Sequence, residues 1–437
     1  MSSLLRLGQE VLTESSHLPC VVEAYLGAGG QGEVYRARWA GEQVALKWYF
    51  TPQATREQRE AIRTLVEVRS PTDRFLWPLE LATYAGARGF GYVMALREPR
   101  YKSITDLMMR RAEPGFHALA TAGMGLADSF LQLHARGLCY RDISFGNLFF
   151  DPDTGAVLIC DNDNVGVNGS TRTGILGTPR FMAPEIVRHE ASPSIQTDLY
   201  SLAVLLFYLL VVHHPLEGRR EAAIKCLDLP AMNRIYGERP LFIFDPEDDS
   251  NAPVPGYHEN ALAFWPLYPA PIKRIFIRAF TEGLRAPARR VRESEWRAAF
   301  AQLRDLVVTC ECGQESFICE ETCAHAGSAR ECWSCGAPVA APPRLRVGGK
   351  SVVLAGGTRL FGHHLDPDCP YDFGEPLAAV VENPHCAGQL GLQNGSALPW
   401  RVLMPGGFAR MVEPGRSVAL ASGARIDFGT AHGEIVT

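Results

Sequence analysis

The sequence contains no hydrophobic run long enough to cross a membrane. Its longest apolar stretch, Leu202–Val212, is much shorter than the roughly 20 residues that a spanning helix needs, so it predicts a buried core helix. The first residues, MSSLLRLGQEVLTESS, also lack the basic flank and the long apolar core of a secretory signal peptide. We therefore expect a cytoplasmic protein without a membrane partner.

The sequence also lacks an excess of charge of one sign. Its 437 residues include 43 Lys and Arg and 48 Asp and Glu, which gives a formal net charge of −5. Binding to nucleic acid depends on clustered cations, so this balance argues against nucleic acid as a partner. Hydrophobic residues make up 46% of the chain and charged residues 21%, as in ordinary globular proteins, and the length allows about three domains.

Three regions of the chain differ in pattern. Strand-like segments such as Val21–Tyr25 come first and longer helical patterns such as Phe116–Ala135 follow, which predicts an α+β fold with two lobes. A short cysteine-dense region comes next, and then short β-type runs alternate with turns, which predicts a β-sandwich. We therefore divide the chain into residues 1–305, with the first lobe ending near residue 95, residues 306–340 and residues 341–437.

A glycine-rich segment, GAGGQGEV, lies between two strand-like segments. Gly27, Gly29 and Gly32 fit the pattern G-x-G-x-x-G-x-V, and Gly30 adds a further glycine. Backbone N–H groups can approach phosphate oxygens there because no Cβ stands in the way; a flexible hairpin turn is the alternative interpretation. A dinucleotide-binding fold needs a helix after the glycines, whereas the chain continues through Val34 as a strand.

Four polar residues then follow in an order typical of phosphoryl transfer. Lys47 ends an apolar strand at a distance from the glycine loop that lets it reach nucleotide phosphates, although strand-ending lysines are often only edge residues. Asp142 and Asn147 lie in the loop segment YRDISFGN, where a carboxylate can accept a hydroxyl proton and an amide oxygen can hold a divalent metal. Asp161 ends the next apolar strands and is suited to bridge Mg²⁺ to phosphates.

With this ordered set the chain resembles the eukaryotic-like protein kinase family, in particular bacterial Ser/Thr kinases. The segment GTPRFMAPE, Gly177–Glu185, resembles the end of the activation loop, and Asp198–Ala203 resembles the start of the buried helix of the larger lobe. Arg290 is similar to the late arginine that pairs with the glutamate matched here by Glu185. The resemblance covers about residues 20–305 and implies a bilobal protein-kinase-like fold.

The resemblance also implies an activity and a set of roles. The activity is transfer of the γ-phosphoryl group of ATP, with Mg²⁺, to Ser/Thr hydroxyls of proteins, including the chain itself. In the phosphoryl-transfer step, Asp142 would be the catalytic base, Asn147 and Asp161 the Mg²⁺ ligands, and Lys47 the contact to the α/β-phosphates. The nucleotide would be bound by Gly27, Gly29, Gly30 and Gly32 over the phosphates, Val34 and Ala45 around adenine, Met94 as gatekeeper, and Ala95 and Leu96 in the hinge. The candidate phosphosites are Thr171, Thr173 and Thr178.

Several positions depart from the family pattern. Tyr140 replaces a histidine, and Ser144 and Phe145 replace Lys-Pro, so one cation near the transferred phosphate is missing. Asn162 and Asp163 replace the phenylalanine and glycine of the D-F-G triplet. Two alternatives therefore stay open: a pseudokinase scaffold that acts through its C-terminal modules, and a small-molecule phosphotransferase.

The acid that would pair with Lys47 is a further open question. In residues 54–69 the apolar positions define a helix face centred near Gln58, with Glu57 on its flank and Glu60 turned away. We expect Glu57 to be the partner, and Gln58 and Glu60 remain the alternatives.

Six of the 12 cysteines crowd into a short stretch after residue 309. Cys310 and Cys312 form one knuckle-like pair and Cys332 and Cys335 another, each followed by glycine, which resembles a zinc ribbon and predicts a structural Zn²⁺. Reduced structural cysteines are the alternative. Three competing ligands lie between the pairs: Cys319, Cys323 and His325.

The last part of the chain, residues 344–437, resembles a forkhead-associated (FHA) β-sandwich in its rhythm. Phosphothreonine binding in that family needs an arginine after the glycine matched by Gly362, but His363 follows here, and no Ser-Arg-x-x-His loop is present. We expect an FHA-like scaffold with an altered phosphate pocket, or else an unrelated sandwich. Resemblance to bacterial kinases with zinc-ribbon tails implies a von Willebrand-A-type protein and a metal-dependent protein phosphatase as partners.

Overall fold

The structure is a computed structural model that describes residues 3–84, 89–169, 177–318, 330–383, 386 and 388–437. It divides the chain into two compact units. The first consists of Met1–Pro114, Ala122–Trp265 and Ile275–Arg297, and the second of Gly115–Thr121, Pro266–Arg274 and Ala298–Thr437. None of the helices in the described ranges combines the length and the apolar character that a membrane span requires.

The first unit begins with six strands that close into an antiparallel barrel. They are β1 (Glu10–Thr13), β2 (Pro19–Ala28), β3 (Gly32–Trp39), β4 (Glu42–Tyr49), β5 (Glu80–Thr83) and β6 (Gly91–Ala95), in the order β1-β2-β3-β4-β6-β5. Because β1 pairs with both β2 and β5, it closes the barrel. Alternate side chains point inward and form a core that includes Val11, Tyr35 and Leu46.

Helix α1 (Arg56–Val68) lies between β4 and β5 in the chain. It begins at Thr55, whose side chain accepts a hydrogen bond from the N–H of Gln58, as helix N-caps do. Ala61, Ile62 and Leu65 are buried, and their spacing is that of one helix face.

The rest of the first unit is mainly helical and is built around one buried helix, α5. The helices that follow α1 are α2 (Ile104–Met108), α3 (Phe116–Ala135), α4 (Pro184–Val187), α5 (Ile195–Val211), α6 (Arg219–Ala222), α7 (Leu229–Asn233), α8 (Glu259–Phe264), α9 (Ala270–Phe280), α10 (Glu282–Arg285) and α11 (Glu293–Arg304). Parts of α3, α9 and α11 belong to the second unit. Ser194 and Thr197 form a capping box that starts α5, and all residues from Thr197 to its end are buried. The core helix predicted from the apolar run is therefore confirmed.

Five short strands in the same unit carry the loops of the candidate site. They are β7 (Lys102–Ser103), β8 (Leu138–Cys139), β9 (Leu148–Phe150), β10 (Val157–Ile159) and β11 (Gly166–Val167). They form a three-stranded sheet, β10-β9-β7, and a pair, β11-β8. This strand pairing fixes the ends of the loop between β8 and β9 and the start of the turn after β10.

The second unit contains two hairpins and two larger sheets. The hairpins are β12 (Val307–Thr309) with β13 (Glu315–Phe317), and β14 (Arg330–Glu331) with β15 (Pro338–Val339). The later elements are β16 (Arg344–Val347), β17 (Lys350–Val353), β18 (Arg359–Leu360), α12 (Gly362–Leu365), β19 (Ala378–Glu382), β20 (Leu390–Asn394), β21 (Trp400–Leu403), β22 (Ala409–Val412), β23 (Ser417–Ala419), β24 (Arg425–Asp427) and β25 (His432–Val436). The sheets β17-β16-β25-β24-β21-β22 and β18-β19-β20-β23 share one hydrophobic core, to which Trp400 and Leu392 contribute.

Candidate active site

Lys47 lies in β4 with its ammonium buried against two carboxylates. Its Nζ is 2.8 Å from Oδ1 of Asp161 and 2.7 Å from Oδ2 of Asp163, and its side chain is only 4% exposed. Burial alone would lower the pKa of Lys47, but the negative charges of Asp163 and Asp161 outweigh burial and raise it. Burial raises the pKa of Asp161, while Lys47 opposes that rise. Lys47 therefore stays protonated although its side chain is buried.

The prediction that Glu57 pairs with Lys47 is wrong in this structure. Helix α1 turns Gln58 toward β4, where its Nε2 donates to the hydroxyl of Tyr49 over 3.1 Å and to the backbone oxygen of Asp163 over 3.3 Å. Glu57 instead lines an outer groove along α1. The sequence does contain a signal for this partner, because an additional acid, Asp163, stands two residues after Asp161. From the sequence alone, Asp163 is interpreted only as the replacement of a glycine.

The turn that carries both aspartates is fixed by a polar anchor. Asp161 has a left-handed backbone with φ of 52°, which non-glycine residues adopt rarely and at a cost. Asn162 is fully buried, and its Nδ2 donates to the backbone oxygens of Leu76 over 2.9 Å and Ile159 over 3.0 Å. These hydrogen bonds hold the turn where an aromatic side chain would hold it by packing, so that Asp161 and Asp163 face one ammonium.

The loop between β8 and β9 brings the other predicted residues to the same place. The Nδ2 of Asn147 donates to the backbone oxygen of Asp142 over 2.8 Å, which leaves the amide oxygen to bind a cation. The backbone oxygen of Asn147 accepts from the N–H of Cys160 over 2.8 Å, one residue before Asp161. Thr178 donates its hydroxyl to Oδ1 of Asp142 over 2.9 Å. The predicted base and both predicted metal ligands therefore belong to one connected site.

The buried carboxylate of Asp198 fixes the backbone at the start of that loop. The backbone N–H groups of Tyr140 and Arg141 donate to the carboxylate of Asp198 over 2.5 and 3.0 Å. His134 contacts both Asp198 and Glu293. Burial lowers the pKa of His134, but the hydrogen bonds to these two acids prevail and raise it to about 9, so a charged imidazole joins α3, α5 and the start of α11.

The glycine loop contains two kinds of glycine. A Cβ on Gly32 would lie 2.2 Å from the backbone oxygen of Trp48, whereas a Cβ on Gly27, Gly29 or Gly30 would meet no atom within 4 Å. Gly32 is therefore required by the close approach of β3 to β4. The other three leave open space at the end of β2 and in the turn that follows it, where a ligand can approach the backbone.

The predicted adenine-contacting residues share one face of the barrel. Val34 pairs with Lys47 and Ala45 pairs with Met94 across neighbouring strands, and directly opposed residues point to the same side. The two predicted hinge residues come at the end of β6: Ala95 and Leu96. The register thus places Val34, Ala45 and Met94 on the face of the barrel that carries Lys47.

The end of the segment Gly177–Glu185 is fixed by a buried ion pair. Arg290 contacts Glu185 through two parallel hydrogen bonds of 2.8 Å, the bidentate geometry that is strongest for this pair. A phosphate on Thr178 would place negative charge against Asp142, so Thr178 does not fit its predicted use as a phosphosite. Thr171 and Thr173 lie outside the described residues.

The second unit brings four cysteine thiols together. The Sγ atoms of Cys310 and Cys335 are 3.8 Å apart and those of Cys312 and Cys332 are 3.7 Å apart, and all four lie within 4.8 Å of one another. A tetrahedral site with Zn–S bonds of about 2.3 Å requires S–S separations of about 3.8 Å, so the spacing fits zinc. Backbone N–H groups of Cys335 and Ser334 lower the pKa of the Cys332 thiol to about 7. Three predicted competitors lie outside the described residues: Cys319, Cys323 and His325.

A second cluster of possible metal ligands, Asp305, His363 and His364, is held by hydrogen bonds that do not suit a metal. The Nδ1 atoms of His363 and His364 accept backbone N–H groups over 3.0 and 2.9 Å. Each neutral ring must then carry its proton on Nε2, and that of His364 faces Asp305 at 3.0 Å. Sequence reasoning did not single out this buried network, which supports the fold of the second unit.

Comparison with known proteins identifies relatives of the first part of the chain. Residues 20–251 match the family described as "Protein kinase domain". The DNA damage-responsive serine/threonine-protein kinase RqkA of Deinococcus radiodurans is 31% identical over 213 residues, which are 46% of this chain and 31% of that protein. Serine/threonine-protein kinase AfsK of Streptomyces coelicolor is 28% identical over 204 residues, which are 46% of this chain and 25% of that protein.

A match of lower sequence identity covers a similar share of this chain. The probable cell cycle serine/threonine-protein kinase CDC5 homolog of Encephalitozoon cuniculi is 26% identical over 222 residues, which are 49% of this chain and 46% of that protein. The chain therefore matches less than half of the length of each of these three relatives.

Proposed function

The chain belongs to the protein kinase domain family, and from this premise we propose that it is a serine/threonine protein kinase that uses ATP and Mg²⁺. The observation that carries the proposal is one continuous network, from Lys47 to Asp161 and, through the backbone of Cys160, to Asn147 and Asp142. It contains a buried cation for phosphates, hard oxygen donors of the kind that Mg²⁺ prefers, and a carboxylate for a hydroxyl proton.

Each group in the network has a defined task. Lys47 would hold the α- and β-phosphates, the open turn at Gly29 and Gly30 would leave room for them, and the oxygens of Asp161 and Asn147 would hold Mg²⁺. The bound nucleotide and metal supply the transferable phosphoryl group and the positive charge that offsets its oxygens. Asp142 orients the substrate hydroxyl and accepts its proton, so most of the catalysis comes from positioning and charge stabilisation.

Two features favour a protein hydroxyl as acceptor over a small molecule. The segment that ends at Glu185 is tied to the core by Arg290, and the hydroxyl of Ser201 donates to the backbone oxygen of Phe181 over 2.6 Å in the same segment. This gives an ordered surface next to Asp142 for an extended peptide. Autophosphorylation, with Thr171 and Thr173 as the candidate sites, remains part of the proposal.

The test is transfer of labelled γ-phosphate from ATP by the wild-type chain and by Asp142→Ala, with mapping of the modified sites. We expect phosphoserine or phosphothreonine on protein in the wild type and a loss of about 10²- to 10⁴-fold in rate in the variant, the contribution of a general base. Absence of transfer by the wild type would favour the pseudokinase scaffold, and label only on metabolites would favour the small-molecule phosphotransferase.

The remaining proposals concern the C-terminal part of the chain. The four gathered thiols support a structural Zn²⁺ in a zinc ribbon over residues 306–340, and two sheets on one core support an FHA-like sandwich over residues 341–437. The ring of His363 is buried and accepts a hydrogen bond from the N–H of Tyr371, which supports an altered phosphate pocket. A cytoplasmic location, a von Willebrand-A-type partner and a metal-dependent phosphatase partner are proposed from resemblance alone.

A further inference from the structure

We propose that Asp163 is the positioning residue of Lys47, in the place that a glutamate on the first long helix holds in other protein kinases. The inference rests on the proposed kinase function and assigns a role within it. It begins from the contacts of the Lys47 ammonium, which are short to Asp161 and Asp163, at 2.8 and 2.7 Å, and longer to Gln31, at 3.5 Å.

Of the two acids, only Asp163 is free to stay with the lysine during the reaction. Asp161 is 42% exposed in its side chain and is the proposed Mg²⁺ ligand, whereas the Asp163 side chain is fully buried. A carboxylate that binds metal cannot also neutralise and orient the lysine to the same extent. Asp163 therefore supplies the permanent negative partner.

The helix that carries this acid in other kinases presents a neutral amide here. Gln58 donates to Tyr49, which in turn donates its hydroxyl to Oδ2 of Asp163 over 2.5 Å. The end of the Gln58 side chain is thus two hydrogen bonds from the Asp163 carboxylate, and it also donates directly to the backbone oxygen of Asp163. A carboxylate at this position would add a third negative charge around one ammonium, which like-charge repulsion disfavours. The neutral residue at 58 and the acid at 163 are complementary.

The hydrogen bonding of Asp163 also argues against a purely structural role. Its second carboxylate oxygen, Oδ1, is buried, and no donor among the described residues reaches it. A buried acid with an unsatisfied oxygen is unfavourable for stability unless it is paired. Its pairing with Lys47 through Oδ2 compensates for this, so the acid is placed for the lysine more than for the fold.

Moving the carboxylate tests the proposal. Asp163→Asn keeps the shape and removes the charge, and we expect kcat/KM for ATP to fall roughly 10- to 100-fold, as misplacement of a positioned group does. In Gln58→Glu/Asp163→Asn the charge returns from the helix, and at least a tenfold recovery is expected. Thr64→Glu/Asp163→Asn adds the same charge to an exposed position of the same helix and should recover nothing.

Gln58→Glu in the wild-type background gives an independent result if Asp163→Asn does not fold. The crowding of three acids should lower kcat/KM, whereas a lysine that takes its partner from the helix would gain activity. Wild-type parameters for Asp163→Asn, a gain for Gln58→Glu, or equal recovery by Thr64→Glu would overturn the proposal. Failure of the kinase function itself is distinguishable, because the wild-type chain would then transfer no phosphate.

Discussion

Individual glycines of the segment GAGGQGEV have different functions, although the sequence pattern treats them alike. Gly32 is confined by the backbone of Trp48, and Gly30 borders open space. The first requirement comes from the packing of two strands and the second from access to a ligand. The pattern G-x-G-x-x-G-x-V therefore combines a fold constraint with a binding constraint.

Substituting each glycine by alanine separates the two constraints. Gly32→Ala should destabilise the protein by about 1–3 kcal/mol, the usual cost of overpacking, and lower its melting temperature. Gly30→Ala should keep the melting temperature within about 2 °C and raise KM for ATP several-fold, because its Cβ narrows the approach to the backbone. A normal KM for ATP in Gly30→Ala would contradict the assignment of this turn to phosphate binding.

The acidic partner of Lys47 could not be predicted from the sequence. The helical face centred on Gln58 followed from the apolar spacing, but the sequence could not show that the chain turns left-handed at Asp161. That backbone conformation, together with the bonds of buried Asn162, carries the next acid to the lysine. Contacts that depend on tertiary turns of this kind leave no periodic pattern in a sequence.

Elements with regular patterns were predicted closely, and short or irregular ones were missed. The helical pattern Phe116–Ala135 coincides with α3, and the strand-like segment Val21–Tyr25 lies within β2. The missed strand β22, Ala409–Val412, is exposed at three of its four positions, so it lacks the alternation that marks a half-buried strand. β1, Glu10–Thr13, was also missed.

The two cysteine knuckles are the element whose stability should depend on a metal. Gly313 and Gly336 have positive φ of 87° and 71°, which lets the chain turn tightly after each cysteine pair. We expect about one Zn per chain by elemental analysis, and none after Cys332→Ser/Cys335→Ser, with a lower melting temperature as well. Cys226→Ser, at an exposed and separate cysteine, is the matched control and should keep the metal.

A folded wild-type protein without zinc would contradict this account of the second unit. Equal zinc content in the double variant would show that other residues bind it.

Taken across the chain, the sequence predicted the kinase-like first part more fully than the last. Motif residues such as Lys47, Asp142 and Asp161 are constrained by one chemistry, so their order alone indicates a shared site. The C-terminal sheets are constrained only by burial, which many sequences satisfy. Their two-sheet core is visible in the structure through residues such as Leu392 and Trp400, and the strand β25 that joins β16 to β24 was not predicted.

The central claim is that Lys47, Asp161, Asn147 and Asp142 form one site for a nucleotide with magnesium. The most direct measurement is the affinity of the full chain for ATP, with and without Mg²⁺, in the wild type and in Asp161→Asn. The account predicts that Mg²⁺ strengthens binding at least tenfold, about 1.4 kcal/mol, in the wild type and has little effect in the variant. ATP binding that ignores Mg²⁺, or no binding at all by the wild type, would contradict it.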